Sequence, residues 1–165
     1  MHPPFRLPLT IRLKRAGIVH PVWTVRYAHM HGVPLDISCA VLMVETGGGR
    51  NVFGHDNTIA IGWGTVTKAK YLAYRALRDK TGECQGVGPM QLTSKSLQAE
   101  ADVLGGCWQP RWNIAVGMHF LGEKLNEHAG SLAAGVAAYN GGGPAADRYA
   151  AHVLAVADHF HAIIG

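Results

Sequence analysis

The chain has 165 residues, 48% of them hydrophobic and 16% charged, with 15 Lys and Arg against 11 Asp and Glu for a formal charge of +4. One compact domain of this size buries about two thirds of its unfolded surface without staples, and the composition excludes a disordered chain. The longest charge-free stretch, 129–146, contains Ser131, Asn140 and the run Gly141, Gly142, Gly143, Pro144, so a spanning helix and membrane insertion are not expected.

The first 20 residues have two early prolines and basic residues placed after apolar ones, the reverse of a secretory signal. They read as a basic arm on a protein made in the cytoplasm without a signal peptide, ahead of a single domain over 21–165. From Pro21 to Gly32, Val22, Val25 and His29 recur at helical spacing, with Gly32 as the stop. Asp36 or Ser38 then caps a second helix through Ile37, Val41 and Val44, ended by Gly47, Gly48 and Gly49. This helix is apolar almost all the way round and so belongs in the middle of the protein. Glu45, in its last turn, is its only strong charge after Asp36. Desolvation and the helix C-terminus both disfavour its negative charge, which predicts an upward push on its pKa.

Residues 53–67 carry β-branched side chains and spaced glycines, the pattern of an irregular loop or a short hairpin. A helix is predicted over Lys68–Lys80, with Tyr71, Tyr74 and Leu77 or Arg78 along one side. Another covers Lys95–Leu104, with Leu97, Ala101 and Leu104 facing inward. The long helix Trp112–His128 has its apolar stripe at Ile114, Met118, Leu121 and Leu125. A small-residue helix over Ser131–Tyr139 leads into the turn NGGGP. The last helix, Ala145–Ile164, repeats Tyr149, Val153, Val156, Phe160 and Ile163 toward the core. Six or so helices with little strand give an all-α, α-rich single domain. Of three cysteines, Cys39 reads as a buried small hydrophobe, while Cys84 and Cys107 could form one bridge in an oxidising environment.

Three short segments carry the chemistry. VETGGGR places Glu45 where a carboxyl with a raised pKa can act as general acid in glycoside cleavage, or where a surface glutamate simply ends a helix. GVGPMQL, Gly86 to Leu92, offers glycines for close backbone approach and the Gln91 amide for a sugar hydroxyl or N-acetyl group, although Met90 and Leu92 also suit a core. AYNGGGP puts Tyr139 and Asn140 at a helix end. There Tyr139 could aim its hydroxyl at Glu45 and Asn140 could hold a substrate amide, or the pair could be a cap beside a half-buried tyrosine.

A buried-helix glutamate followed by GxG-P-MQL and then AYNGG resembles the goose-type lysozyme and soluble lytic transglycosylase superfamily, over roughly 21–164. The tyrosine-rich insertion at Tyr71 and Tyr74, LGGCW at Leu104 to Trp108 and GPAADRYA after the third motif look like the lysozyme-like domains of phage endolysins or tail proteins. The resemblance implies a lysozyme-like fold whose buried central helix carries Glu45 as catalytic acid. It implies a sugar-binding motif at Gly88, Met90 and Gln91, and a cleft lined by Tyr139 and Asn140. The separation of 43 positions from Glu45 to Gly88 exceeds the family's usual gap, and Thr93 stands where goose-type lysozymes tend to carry an aspartate.

The implied activity is a muramidase cutting the β-1,4 bond between MurNAc and GlcNAc in peptidoglycan, as a phage endolysin acting at the bacterial wall. A second carboxylate activating water makes the enzyme a hydrolase. Attack by the sugar's own 6-hydroxyl makes it a lytic transglycosylase leaving 1,6-anhydro ends. Asp56, eleven residues after Glu45 in GHDN, is the candidate base, or else an Asx turn with Asn57. Asp36, Asp79, Asp102, Asp147 and Asp158 fall on helix starts or polar faces. Trp63, in IGWG, is the tryptophan expected in the cleft.

Two other classes compete: a zinc amidase or peptidase, disfavoured because the ten histidines form no HExxH, and a non-catalytic wall-binding or phage structural module. Dispersed basic residues without a nucleic-acid motif speak against nucleic-acid binding. A monomer that needs no cofactor and no metal is expected.

Overall fold

The computed structural model describes residues 7–54 and 64–165; Asp56 and Trp63 lie outside the described residues. The architecture is all-α. Among the described residues the helices are α1 (Leu9–Arg15), α2 (Pro21–Met30), α3 (Leu35–Thr46), α4 (Lys68–Thr81), α5 (Lys95–Leu104), α6 (Pro110–Glu127), α7 (Leu132–Asn140) and α8 (Pro144–Ile164). Extended structure among the described residues is confined to the isolated bridges Val52 with Thr65, Phe53 with Val87 and Val87 with Leu92. None of the described helices is long and apolar enough to cross a membrane.

The predicted central helix is α3. Ile37 through Leu42 are buried without interruption, and α8 packs along it more extensively than any other helix. Its start differs from expectation. Pro34 is the N-cap residue with no side-chain cap, Asp36 Oδ1 accepts from the Ile37 N–H at 2.8 Å, and the Ser38 hydroxyl donates back to the Pro34 carbonyl. Its end is set by glycines. Gly47 takes the left-handed conformation at φ 62°, and the N–H groups of Gly47, Gly48 and Gly49 close onto the carbonyls of Met43 and Leu42. A Cβ on Gly48 would lie 2.0 Å from the Gly17 carbonyl oxygen, so the turn can press against the segment before α2 only because it is glycine.

The span read as a basic arm contains α1. Leu13 is fully buried and packs with Ile18, Cys39 and Phe160 in a small second core, leaving Lys14 and Arg15 outward. One leucine among basic residues is enough to dock a short helix when it meets an apolar pocket, which local periodicity cannot register. On α2 the buried residues are Thr24, Tyr27 and Ala28, whereas Val22 is 58% exposed and His29 is exposed too. On α5, Ala101 is buried and Leu97 half-buried, but Leu104 is 46% exposed, and Gln98 is fully buried in addition. Gln98 faces inward because buried partners satisfy its amide: Nε2 donates to Gln85 O and Leu92 O, and Oε1 accepts from Arg78 at 2.7 Å and Tyr74 at 3.2 Å.

The stripes of α4, α6 and α8 follow expectation. Tyr71, Tyr74, Ile114, Met118, Leu121, Val153 and Phe160 are all fully buried. All three cysteines are free: Cys39 and Cys107 are buried, Cys84 is half-buried, and no Cys84–Cys107 bridge forms. Instead the Cys107 thiol accepts from Asn113 Nδ2 at 3.5 Å inside the core.

Candidate functional site

The end of α3, the turn after it, the 86–92 turn, the start of α5 and the end of α7 surround a cleft of about 760 Å³. Among its described lining residues are Glu45, Arg50, Gln91, Thr93, Tyr139 and Asn140. Five of the residues named from the sequence therefore share one cavity, though they are up to 95 positions apart in the chain.

Glu45 stands in the last turn of α3, half-buried, and is among the residues that line the cleft. The Tyr149 hydroxyl donates to Glu45 Oε1 at 2.6 Å. Tyr149 comes from α8, and the packing of α8 along α3 brings residues 104 positions apart into contact. Burial, and then the charge of Glu45, hold the Tyr149 phenol far above its ordinary pKa. It therefore stays neutral and remains a donor, fixing one carboxyl oxygen and with it the plane of the group.

This is the partnership the sequence assigned to Tyr139. Tyr139 instead donates to the Met90 carbonyl at 2.7 Å while its ring lines the cleft and lies against Phe120, with centroids 5.5 Å apart. Its phenol is also raised, by burial first and by the charge of Glu45 second. The physical reason for the exchange is helix geometry. The hydroxyl of Tyr139, near the end of α7, is met by the 86–92 turn, while Tyr149 lies on the face of α8 that packs along α3. Tyr149 was legible only as one position of a core stripe; the coincidence of a hydroxyl with an otherwise apolar stripe was the available signal.

The GVGPMQL segment proves to be a support for the cleft as much as a wall. Gln91 is the one non-glycine residue with positive φ among the described residues, at 48°. Its Nε2 donates to Val52 O at 3.0 Å and Gly88 O at 2.9 Å, which ties the turn to the strand-like segment opposite. The amide nitrogen is thus committed to the protein, and the amide oxygen is the part of Gln91 left to a ligand. Gly88 and Met90 do not reach the cleft. A Cβ on Gly88 would sit 2.5 Å from Asn113 Nδ2, and Met90 is fully buried, its N–H donating to Asn113 Oδ1 at 2.9 Å. Asn113 Nδ2 donates to Val87 O at 2.7 Å, so one buried asparagine of α6 holds both sides of this turn.

Thr93 and Asn140 are exposed on the cleft rim, and Leu97 and Phe120 supply apolar surface. Of the other aspartates, Asp102 is tied into the fold. Its Oδ2 accepts from the Tyr71 hydroxyl at 2.9 Å and Arg75 at 3.2 Å, and its Oδ1 accepts from the Cys107 N–H at 3.0 Å. Asp79 pairs with Arg78 and Lys95, and Asp36 with His161. Among the described residues no group of three or more His, Cys, Asp or Glu side chains is placed to hold a metal ion. The described tryptophans lie away from the cleft lining: Trp23 and Trp112 enclose the Arg111 guanidinium at 4.7 and 4.1 Å, and Trp108 packs against Tyr71.

Comparison of the chain with protein families, curated proteins and solved structures finds no match.

Proposed function

We propose that this protein is a peptidoglycan muramidase that cleaves the β-1,4 bond between MurNAc and GlcNAc, acting at the bacterial wall as a phage endolysin. The observation that carries this reading is the 2.6 Å pair of Tyr149 and Glu45 in the wall of a 760 Å³ cleft. A carboxyl oriented by a neutral donor and facing a substrate-sized groove is what protonation of a leaving oxygen requires. The lining suits an aminosugar: Phe120, Tyr139 and Leu97 offer apolar faces to sugar rings, while the Gln91 amide oxygen, Thr93 and Asn140 offer partners for hydroxyl and N-acetyl groups. The ordered resemblance of VETGGGR, GVGPMQL and AYNGGGP to the goose-type lysozyme and lytic transglycosylase superfamily adds the substrate class.

In this mechanism Glu45 gives its proton to the bridging oxygen as the bond to the muramyl C1 breaks and positive charge grows on that ring. Water then adds at C1, assisted by a second carboxylate for which Asp56 is the sequence's candidate. If the muramyl 6-hydroxyl attacks in its place, Glu45 takes up that proton and the product is a 1,6-anhydro end. Tyr149 takes no proton in either route; it positions the acid.

The test is mass spectrometry of purified peptidoglycan digested by the wild-type protein and by Glu45→Gln. The expected result is release of muropeptides with reducing muramyl ends, abolished in Glu45→Gln at unchanged fold. Anhydro ends would make the enzyme a transglycosylase, and freed peptides an amidase. Tight binding to sacculi with no soluble fragment would replace catalysis by a wall-binding role.

A further inference from the structure

Arg50 is the one permanent cation among the described residues that line the cleft, and Glu45 is the one carboxylate among them. The fold builds a particular seat for it. Its Nε donates to the Thr46 carbonyl at 3.0 Å, so the side chain folds back over the last turn of α3, beside the position of Glu45. Gly47 makes that possible: a Cβ there would stand 2.4 Å from Arg50 Nη2 and 3.2 Å from Cζ. Gly47 is therefore needed twice, for its left-handed φ and for the space the guanidinium fills. With Nε anchored, the two terminal nitrogens make no hydrogen bond or ion pair within the described residues, and the side chain is exposed to the cleft.

An arginine that only stabilised the turn would need no more than its Nε. One held at the base of its guanidinium, with the outer edge turned to a groove, presents a planar two-donor fork whose natural complement is a carboxylate. We infer that Arg50 forms a carboxylate-binding subsite next to the bond-cleaving position, one that recognises an acidic group on the peptide branches of the wall polymer. This rests on the muramidase reading, and it adds that the enzyme reads the peptide as well as the glycan. The glycan cannot supply the ligand where its muramyl lactyl group is joined in amide linkage, because the sugars are then uncharged; the free carboxylates sit on the attached peptide.

The experiment compares wild type and Arg50→Ala on two substrates: native peptidoglycan, and the same material with its carboxyl groups converted to neutral methylamides. On native wall Arg50→Ala is expected to lose about tenfold in kcat/KM, mainly through a higher KM, as for one charge-assisted hydrogen-bonded pair. On the neutralised wall the ratio between the two proteins should fall to near one. An equal loss on both substrates, or no loss on native wall, overturns the subsite and leaves Arg50 a turn-stabilising residue. If the wild-type protein releases fragments from neither substrate, the muramidase reading itself fails, and this inference with it. Matching melting temperatures for the two proteins show that the comparison is made between folded chains.

Discussion

Among the described residues two tyrosines donate to carboxylates, and the surroundings of the two carboxylates differ. Tyr71 donates to Asp102 at 2.9 Å and Tyr149 to Glu45 at 2.6 Å. Asp102 is also met by the Arg75 guanidinium and the Cys107 N–H, so two donors from α4 and one from the turn after α5 surround it. It pins α4 to α5. Glu45 stands on the wall of an open groove, at a helix end, with a neutral tyrosine fixing its orientation. On the proposed reading a tyrosine donor does not itself mark the reacting acid; what surrounds the carboxylate does. A carboxylate saturated by donors and a cation holds helices together, whereas one that faces a cavity can exchange a proton with what the cavity holds.

The largest differences are expected at the acids. Glu45→Gln should lower fragment release from peptidoglycan by about 10² to 10⁴-fold, the range for loss of a general acid, with no fall in melting temperature. Asp102→Ala should do the reverse, leaving lysis of folded protein within about twofold while lowering stability by about 2–3 kcal/mol as its buried partners lose their acceptor. Turbidity clearance and thermal melts of both variants check the pair of statements. Equal loss of lysis in the two would mean that Glu45 and Asp102 do not differ in role.

At the tyrosines the effects are smaller. Tyr149→Phe should reduce kcat about tenfold, equivalent to about 1.4 kcal/mol, with KM little changed, because the acid is still present but no longer held in one plane. Tyr71→Phe should leave kcat alone and cost about 1 kcal/mol of stability. Steady-state kinetics on soluble wall fragments separate kcat from KM for each.

The smallest effect concerns pH. Burial pushes the Cys39 and Cys107 thiols up to about 12 from an ordinary value of 9.0. In the unfolded chain these thiols ionise first, so the native state binds more protons above pH 9. Their contribution is intact below pH 9 and is lost as pH rises toward 12. The urea midpoint should therefore fall across that window, with buried Tyr71 and Tyr74, also raised by burial, acting in the same direction. Cys107→Ala should make the fall shallower. At neutral pH a thiol reagent should modify Cys84 in the folded protein well before Cys39 or Cys107.

Much of this was legible in the chain. A 3.6-residue apolar repeat and glycine stops located seven of the helices, because both signals are local. Glu45 was legible because a lone acid at the end of an otherwise apolar helix is a costly placement. The inward turn of Gln98 was not, since an amide is buried only if distant partners satisfy it, and those come from α4 and the segment before the 86–92 turn. The docking of α1 through Leu13 was hidden for the same reason: its pocket is made by α3 and α8.

Local pattern was enough for the helical class, the buried course of α3 and the placing of one acid, Glu45, at its end, since these follow from hydrophobic period, glycine stops and the cost of burying a charge. The tertiary structure alone decided which tyrosine holds that acid, that Gln91 braces the cleft with its own amide nitrogen, and that Gly47 leaves space for Arg50. Those are contacts between segments far apart in the chain. Their partners are chosen by how helices pack, a property that no local pattern of residues contains.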